Sequence, residues 1–378
     1  MIQREGLSAK LRDHFDWPLF ISAALIAVFG VVNLYSATSV YSGARAELYI
    51  SQIQWLAIGG IMGGVVLAID YRHLERFGYV FYTFGVFNLI LVFALAKGTR
   101  GSQRWIEFGS FAYQPSEFMK IWLVIALAKY LHDDPRSEGR QLRDLLIPAL
   151  LTGVPALLVL KQPDLGTASI LVLVFLTIAA VTRIRWQSML SFFLAVGPGS
   201  YIVYEYVLLG YQKNRITTFL NPEADVKGLG YHAHHARVAI GDGGLLGTGF
   251  MKGTQNQFGF IPDQFSDFPF PVFAEEWGFA GGVVLICLYG FLTVWAIRVA
   301  SLAKDRFGAV LAVGGTAIIF WHAIINMGMT SGVLPVVGVT LPLFSYGGSS
   351  MMTILLALSL VMNVSMRRSA GVPSPDRL

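Results

Sequence analysis

The sequence is poor in charged residues and in cysteine. Charged residues make up 13% of its 378 residues and hydrophobic residues 54%, whereas ordinary soluble domains carry roughly 25% charge. This balance excludes a disordered chain and disfavours a soluble globular enzyme. Cys287 is the only cysteine, which excludes a disulfide-bonded scaffold. The 40 glycines follow no three-residue period, which excludes collagen. The remaining class is a membrane protein with several helical spans.

Long apolar runs alternate with short charged or glycine-rich stretches. A helix needs about 20 apolar residues to cross a bilayer, and its backbone must be hydrogen-bonded within the segment. The sequence therefore predicts an all-α, polytopic integral membrane protein with about ten transmembrane helices. The predicted spans are 17–38, 51–69, 78–97, 115–131, 143–160, 165–182, 187–209, 272–297, 307–329 and 346–366. The fifth and sixth are the least regular, because Pro148, Pro155 and Pro163 interrupt them.

The distribution of basic residues predicts the orientation of the chain. Of the 28 Lys and Arg residues, 17 lie in the N-terminal segment, the C-terminal tail and the loops on the same side, and five lie in the opposite short loops. Basic residues favour the cytoplasmic side, so both termini, including the tail 367–378, are predicted there. Because these residues spread over six segments, we expect no nucleic-acid site. The first span lacks a cleavage pattern and is predicted to be a retained anchor.

One long hydrophilic segment, 210–271, is predicted on the extracytoplasmic side. Its many glycines and aromatic residues indicate an ordered loop, which either is functional or caps the helices without chemistry of its own. His232, His234 and His235 cluster within it. His232 and His235 are three residues apart with no nearby cysteine, which is a weak metal signal. We therefore predict no protein-held metal site.

Asp267 is the candidate general base. It is a lone carboxylate among aromatic residues near the membrane surface, where desolvation would raise its pKa towards neutrality. The alternative is that Asp267 caps the N-terminus of the eighth span. Glu275 and Glu276 are predicted in the first turn of that span, where they would meet the positive end of the helix dipole.

Other charges lie at the outer ends of apolar segments. Glu117 and Lys120, at i and i+3, share one face of the fourth span and form either a functional site or a structural ion pair. Asp164 could cap the sixth span. Arg104 and Arg215 lie on the same outer side. Cations beside a lone carboxylate suit a substrate with a phosphate at one end and a hydroxyl to be deprotonated at the other.

Ordered motifs along nearly the whole chain resemble the SEDS family (shape, elongation, division and sporulation). They include Gln162-Pro163-Asp164-Leu165-Gly166-Thr167 and Ser266-Asp267-Phe268. Further matches are 34–38, 103–105, 114–117 with Lys120, 219–222, 239–244, 275–276, Asn326, 334–338 and 341–349. Residues 221–225, 230–232 and 253–255 are more similar to the elongation member, RodA, than to the division member, FtsW.

The resemblance implies a peptidoglycan glycosyltransferase that polymerises lipid II into a β-1,4 glycan strand on the outer face of the bacterial cytoplasmic membrane, with inversion. The family's essential aspartate corresponds to Asp267, as general base. Candidate substrate-binding residues are Arg104, Glu117, Lys120, Asp164, Arg215 and Gln255. A divalent cation, Mg²⁺ or Mn²⁺, could assist. The implied partners are a class B penicillin-binding protein transpeptidase, membrane lipids and other elongation-complex proteins.

The chain departs from the family pattern around Asp267. Phe265 replaces a usual histidine, Pro269 and Pro271 replace apolar residues, and His235 stands where glutamine is common. The hydrogen bonds around Asp267 should therefore differ locally. Two other classes remain open from the sequence, a lipid II flippase and a non-catalytic scaffold for a penicillin-binding protein. A flippase should carry charged groups on both faces and at the midplane, whereas here the charged motif residues lie on the outer half.

Overall fold

The computed structural model describes residues 15–95, 104–108, 111–134, 139–221 with short gaps between 183 and 209, 228–261 and 263–368. Its larger elements are α1 (Trp17–Thr38), α2 (Leu48–Ala68), α3 (Tyr71–Arg76), α4 (Gly78–Leu95), β1 (Ile106–Phe108), β2 (Phe111–Tyr113), α5 (Pro115–Asp133), α6 (Leu146–Lys161), α7 (Leu165–Val181), α8 (Gly210–Leu220), α9 (Leu229–Asp242), α10 (Thr254–Gln257), α11 (Pro269–Ser301), α12 (Arg306–Thr330) and α13 (Gly348–Arg367).

The helical membrane architecture predicted from the sequence is confirmed. Among the described residues, seven helices are long and apolar enough to cross a membrane, namely α1, α2, α4, 142–161, α11, α12 and α13. The apolar helix α7 is shorter, at 17 residues. The predicted span 187–209 falls partly outside the described residues and ends in a π-helical turn, Val203–Val207. The number of ten spans therefore stays a prediction, as does the placement of both termini.

Helix α5 lies inside the bundle rather than against lipid. It begins with Pro115 at its first position, where a missing N–H costs no hydrogen bond. Met119, Leu123 and Leu127 are fully buried, and Lys120 is buried with them. Packing within the protein explains how this helix tolerates charges that a lipid-facing helix would not. A short antiparallel hairpin of β1 and β2, which the sequence did not predict, comes just before it.

Helix α11 is broken at Gly278, whose φ of 67° and ψ of −166° are not helical. The turn 244–249 supplies backbone partners at the break. Phe279 N–H donates to the Gly244 carbonyl across 2.9 Å, and Thr248 N–H donates to the Glu275 carbonyl across 2.9 Å. The helix starts at Pro269 and ends at Ser301, so it is longer at both ends than the predicted span 272–297. These backbone bonds replace part of the helical hydrogen bonding that is lost at the break.

The described part of the predicted outer loop is folded into α8, α9, α10 and connecting turns, as the glycine and aromatic content indicated. A small apolar cluster joins this loop to the spans. It consists of Ala37, Ala236, Ala239, Ile261, Phe268 and Val272. Phe268 is 2% exposed, so burial of its ring fixes the chain directly after Asp267.

Candidate active site

Asp267 lies in a tight turn just before α11. The carbonyl oxygen of Asp263 accepts N–H groups from Ser266, Asp267 and Phe268 at 3.0, 3.1 and 3.3 Å. Phe268 occupies the N-cap position of α11, and Pro269 is the first helical residue. The alternative that Asp267 caps this helix is therefore wrong, because the helix begins one residue later than a cap at Asp267 requires. The Asp267 carboxylate therefore does not serve as the cap of α11.

Two distant helices hold the backbone around Asp267. The side-chain amide of Asn326, in α12, donates to the carbonyl of Asp267 at 2.9 Å and to that of Val339 at 2.6 Å. Asn33, in α1, donates to the carbonyl of Pro269 at 3.1 Å. Both asparagines are buried, so these bonds are shielded from water. The position of the turn thus depends on helices far away in sequence.

The electrostatic surroundings of Asp267 favour a proton acceptor near neutral pH. Burial raises the pKa of its carboxyl group to about 6, and the nearby carboxylate of Asp263 adds to this rise. Arg215, a hydrogen bond from Ser266, and Arg104 act in the opposite direction. Arg104 and Arg215 therefore lie close enough to influence Asp267, and their role at the substrate stays a prediction.

Arg104 and Asp164 meet at the turn before α7. Arg104 Nε donates to the carbonyl of Gln162 at 3.1 Å, and its Nη1 lies 4.0 Å from Asp164 Oδ1. Asp164 caps α7 as predicted, because its Oδ1 accepts Thr167 N–H at 3.1 Å. Its other oxygen accepts from the Gln114 side chain at 3.2 Å. Asp164 therefore holds this turn in place.

Glu117 and Lys120 form the predicted i, i+3 pair, with 2.8 Å between Oε2 and Nζ. Lys120 Nζ also lies 2.8 Å from Nε2 of His322, a residue of α12. Nδ1 of that imidazole lies 3.1 Å from the Thr340 carbonyl, which can only accept, so Nε2 accepts from Lys120. Lys120 is fully buried, which places its ammonium group inside a polar network.

Arg215 and Gln255 occupy different parts of the loop. Arg215 Nη1 donates to the carbonyl of Val336 at 3.1 Å. Gln255 Oε1 lies 3.0 Å from Nδ1 of His235, and its backbone N–H donates to Glu275 Oε1 at 2.8 Å. The described contacts of Gln255 thus tie α9, α10 and α11 together. A direct role for Gln255 at the substrate stays a prediction.

The prediction that Glu275 and Glu276 lie in the first turn of the span is wrong, because α11 begins at Pro269 and its first turn holds no acidic residue. The two glutamates instead bind groups of α10 and α1. Glu275 Oε1 also accepts from Thr254 Oγ1 at 3.2 Å. The side chain of Glu276 accepts from the Ser36 hydroxyl, and Asn256 Nδ2 lies 3.5 Å from Glu276 Oε1. Both carboxylates are buried, so they act as structural acceptors beneath the loop.

Within the histidine cluster of the loop, the ring of His235 packs against two aromatic side chains. The His235 ring stacks on Phe260 at 5.3 Å between ring centroids, and Tyr231 approaches its ring at 4.2 Å. No group of three or more His, Cys, Asp or Glu side chains in the described ranges is placed to hold a metal ion. His235 stands where the family commonly has glutamine, and here its imidazole ring packs against aromatic rings within the loop.

Phe265, Pro269 and Pro271, the other residues that differ from the family pattern, each fit their surroundings in the fold. The Phe265 carbonyl accepts Tyr346 N–H at 2.8 Å, which anchors the turn to the segment before α13. Pro269 provides the carbonyl that Asn33 binds, and Pro271 is buried in the first turn of α11. Both prolines therefore fit a helix start, where proline is tolerated.

Sequence reasoning assigned no site role to three residues that build the site, His322, Asn326 and Asn33, although Asn326 stands in a family motif. Each is a polar residue inside an apolar span and fully or almost fully buried. That property was a usable signal, because polar groups at membrane depth usually face a partner. Their partners lie tens to hundreds of residues away, which no local pattern reveals.

Known proteins resemble this chain over almost its whole length. Residues 16–370 match the family model for FtsW, RodA and SpoVE, described as cell cycle proteins. The peptidoglycan glycosyltransferase MrdB of Escherichia coli K12 is 34% identical over 355 residues, covering 94% of each chain.

Two solved structures have the same fold. A chain from a structure of a peptidoglycan synthase complex that coordinates polymerisation and crosslinking aligns with a TM-score of 0.80 at 30% identity, covering 94% of this chain and 99% of that one. The rod shape determining protein RodA of Thermus thermophilus aligns with a TM-score of 0.69 at 28% identity, covering 94% and 98%. The chain therefore belongs to the FtsW, RodA and SpoVE family of cell cycle proteins, the SEDS family.

Proposed function

We propose that the chain is a peptidoglycan glycosyltransferase that polymerises lipid II into β-1,4 glycan during cell elongation. The related MrdB is named for the transferase activity, and the Thermus relative is named for rod shape. The observation that carries the proposal is the Asp267 carboxylate, which has a raised pKa of about 6 and lies in the field of two arginines. Such a group can accept a proton at neutral pH.

In the proposed reaction, Asp267 takes the proton of the acceptor's GlcNAc 4-hydroxyl while that oxygen attacks the anomeric carbon of the donor sugar. The bond from that carbon to the diphosphate breaks on the opposite face, so the configuration inverts. The proton then passes from Asp267 to solvent. Negative charge that grows on the leaving diphosphate is stabilised by cations.

Arg104, Lys120 and Arg215 are the candidate cations. Arg104 and Arg215 act on the charge of Asp267, whereas Lys120 is held by Glu117 inside the bundle. In this proposal Lys120 holds α5 and α12 in position through Glu117 and His322. Asp164 and Gln255 keep the surrounding turns in place. A divalent cation would supply Lewis-acid stabilisation of the leaving diphosphate. The described residues include no group of three or more His, Cys, Asp or Glu side chains that could hold one, so no step is assigned to it.

The chain is a multi-pass membrane protein, and we propose that Asp267 faces outward with both termini in the cytoplasm. The bias of basic residues supports this orientation. We also propose a transpeptidase of the class B penicillin-binding protein type as partner. The similarity to a chain from a complex that coordinates polymerisation with crosslinking supports this partner.

The test uses purified full-length protein with labelled lipid II, alone and with its cognate transpeptidase. We expect the wild type to form glycan polymer and Asp267→Asn to form none. Arg298→Gln, a change on the predicted cytoplasmic side, is the control and should polymerise normally.

Equal polymerisation by the wild type and Asp267→Asn would remove Asp267 as the base. If no variant polymerises even with the transpeptidase, the glycosyltransferase proposal fails. Movement of lipid II across vesicles without polymer would then identify a flippase, and loss of transpeptidase recruitment alone would identify a scaffold.

A further inference from the structure

A groove lies beside Arg215, between α8, α9 and the outer end of α12. Arg215 and Arg237 line it from two different helices, and Phe219, Met329 and Leu334 form apolar walls. None of its lining residues is acidic. The groove therefore combines positive charge with an apolar surface, which suits an amphiphilic anion.

Arg237 is exposed and lies along its own helix and against Gly332. Its Nε donates to the Ala233 carbonyl at 3.2 Å, one turn earlier in α9. Its aliphatic stem crosses Gly332, where an added Cβ would lie 2.9 Å from Arg237 Cδ and where φ is +80°. Within the described part of the chain, no carboxylate lies within 4.0 Å of its guanidinium. Arg237 thus offers a positioned and uncompensated charge.

Arg215 connects the groove to the candidate base. Its guanidinium is oriented by the Val336 carbonyl at 3.1 Å and lowers the pKa of Asp267. Gly230, in the first turn of α9, also lines the groove, so the positive end of that helix dipole faces the same space. Two guanidinium groups and the positive end of α9 therefore border the groove, and one of them, Arg215, also acts on Asp267.

We propose that this groove binds the diphosphate of the polyprenyl-linked sugar donor, with Arg237 as a substrate-binding residue together with Arg215. The proposal rests on the glycosyltransferase function above. The apolar walls would take the first units of the prenyl chain. When the bond between the anomeric carbon and the diphosphate oxygen breaks, the electron pair stays on the diphosphate, where the two guanidinium groups stabilise it.

The test measures binding in an Asp267→Asn background, so that no donor is consumed. The probe is undecaprenyl diphosphate, titrated against the full-length protein in lipid nanodiscs. We expect Arg237→Gln to raise the Kd about tenfold, the loss typical of one charge-assisted hydrogen-bonding partner. The Kd of Arg237→Lys should lie between those of Arg237→Gln and the parent, because lysine keeps the positive charge but cannot form two parallel hydrogen bonds as a guanidinium does. Lys252→Gln removes an exposed charge of the same loop outside the groove and should stay within twofold.

Two further ligands, inorganic pyrophosphate and phosphatidylglycerol, show whether the groove prefers the lipid-linked diphosphate to a soluble anion or to an ordinary phospholipid. If inorganic pyrophosphate binds as tightly as undecaprenyl diphosphate, the groove takes a soluble anion and the lipid-linked donor is excluded as its ligand. If Arg237→Gln weakens only the binding of phosphatidylglycerol, the groove is a general lipid site and the proposal is overturned.

Turnover assays separate this proposal from the proposed function. With Asp267 restored, Arg237→Gln should raise KM for lipid II and lower kcat/KM. If the wild type polymerises lipid II and Arg237→Gln leaves both Kd and KM unchanged, the groove is not the donor site while the enzyme function stands. If the wild type does not polymerise but diphosphate binding still depends on Arg237, the groove binds its ligand and the glycosyltransferase function fails.

Discussion

The side-chain amide of Asn326 donates a 2.9 Å hydrogen bond to the main-chain carbonyl of Asp267, and the same nitrogen donates a 2.6 Å bond to the carbonyl of Val339. One buried side chain thus joins α12, the turn that carries the candidate base, and the segment leading to α13. Gly338, adjacent to Val339, approaches the Asp267 carboxylate so closely that an added Cβ would lie 3.3 Å from Oδ2. The backbone around Asp267 is therefore fixed from two sides.

Asn326→Ala should lower kcat at least about tenfold and change KM little, because a misplaced base affects the chemical step more than binding. Steady-state polymerisation of lipid II measures both constants. Asn88→Ala is the control, since Asn88 is half-buried and donates within its own helix, to the Phe84 carbonyl at 2.8 Å. Equal losses in the two variants, or a rise in KM alone, would argue against positioning by Asn326.

The polymerisation rate should rise with pH through about 6, because Asp267 must be deprotonated to act as base. Asp263→Asn removes a neighbouring negative charge and should shift this acid limb to lower pH, since the like charge contributes to the raised pKa. The pH profile of kcat/KM measures both. Glu107→Gln, at an exposed position of β1, should leave the limb unchanged. A shift to higher pH in Asp263→Asn would contradict this electrostatic account.

Asp267→Asn should stabilise the folded protein at pH 8. The folded pKa of about 6 lies above the ordinary value of 3.8, so the charged carboxylate costs stability at high pH and the neutral amide does not. The difference, about 3 kcal/mol at most, should disappear below about pH 4, where the carboxyl is protonated in both states. Thermal unfolding at the two pH values measures it. A variant that is less stable than the wild type at pH 8 would show that the carboxylate is a structural anchor.

Lys120→Met should destabilise the protein by about 3–5 kcal/mol, because it leaves the Glu117 carboxylate buried without a counter-charge. The double variant Glu117→Gln/Lys120→Met should recover much of this loss. Lys129→Met, which breaks a more exposed pair with Asp133, should cost less than about 1 kcal/mol. Thermal unfolding gives the stabilities. If the double variant regains stability but not turnover, Lys120 has a further role at the substrate.

Gly278→Ala should be strongly destabilising, because an added Cβ would lie 2.3 Å from the Gly247 nitrogen and 2.8 Å from Leu245, at a φ of +67°. Gly290 lies in the same helix, and an added Cβ there meets nothing within 4 Å. Gly290→Ala should therefore be neutral or stabilising by up to about 1 kcal/mol. Comparison of the two melting temperatures is the measurement. Similar values would mean that the break at Gly278 relaxes into a regular helix.

Local features of the sequence were predictable because they depend on neighbouring residues. The apolar runs predicted the helical spans, the i, i+3 spacing predicted the Glu117–Lys120 pair, and Asp164 three residues before Thr167 predicted the cap of α7. Each depends on helix geometry alone.

Contacts between distant residues were not predictable. His322 meets Lys120 across 202 positions, and Asn33 meets Pro269 across 236. The start of α11 was predicted at 272, whereas its first residue is Pro269, a position where proline is tolerated. Tertiary packing, which no periodicity encodes, decides these positions.

The bonds from Asn33 and Asn326 to the turn of Asp267 have a consequence for biosynthesis. The ribosome makes α1 early and α12 late, and the carbonyl of Asp267 has no amide donor from Asn326 until α12 has entered the membrane. A nascent chain that contains Asp267 but not yet α12 therefore lacks the hydrogen bond that fixes the turn of Asp267 in the finished protein. Glycan synthesis by this chain would therefore begin only after α12 has been made and inserted.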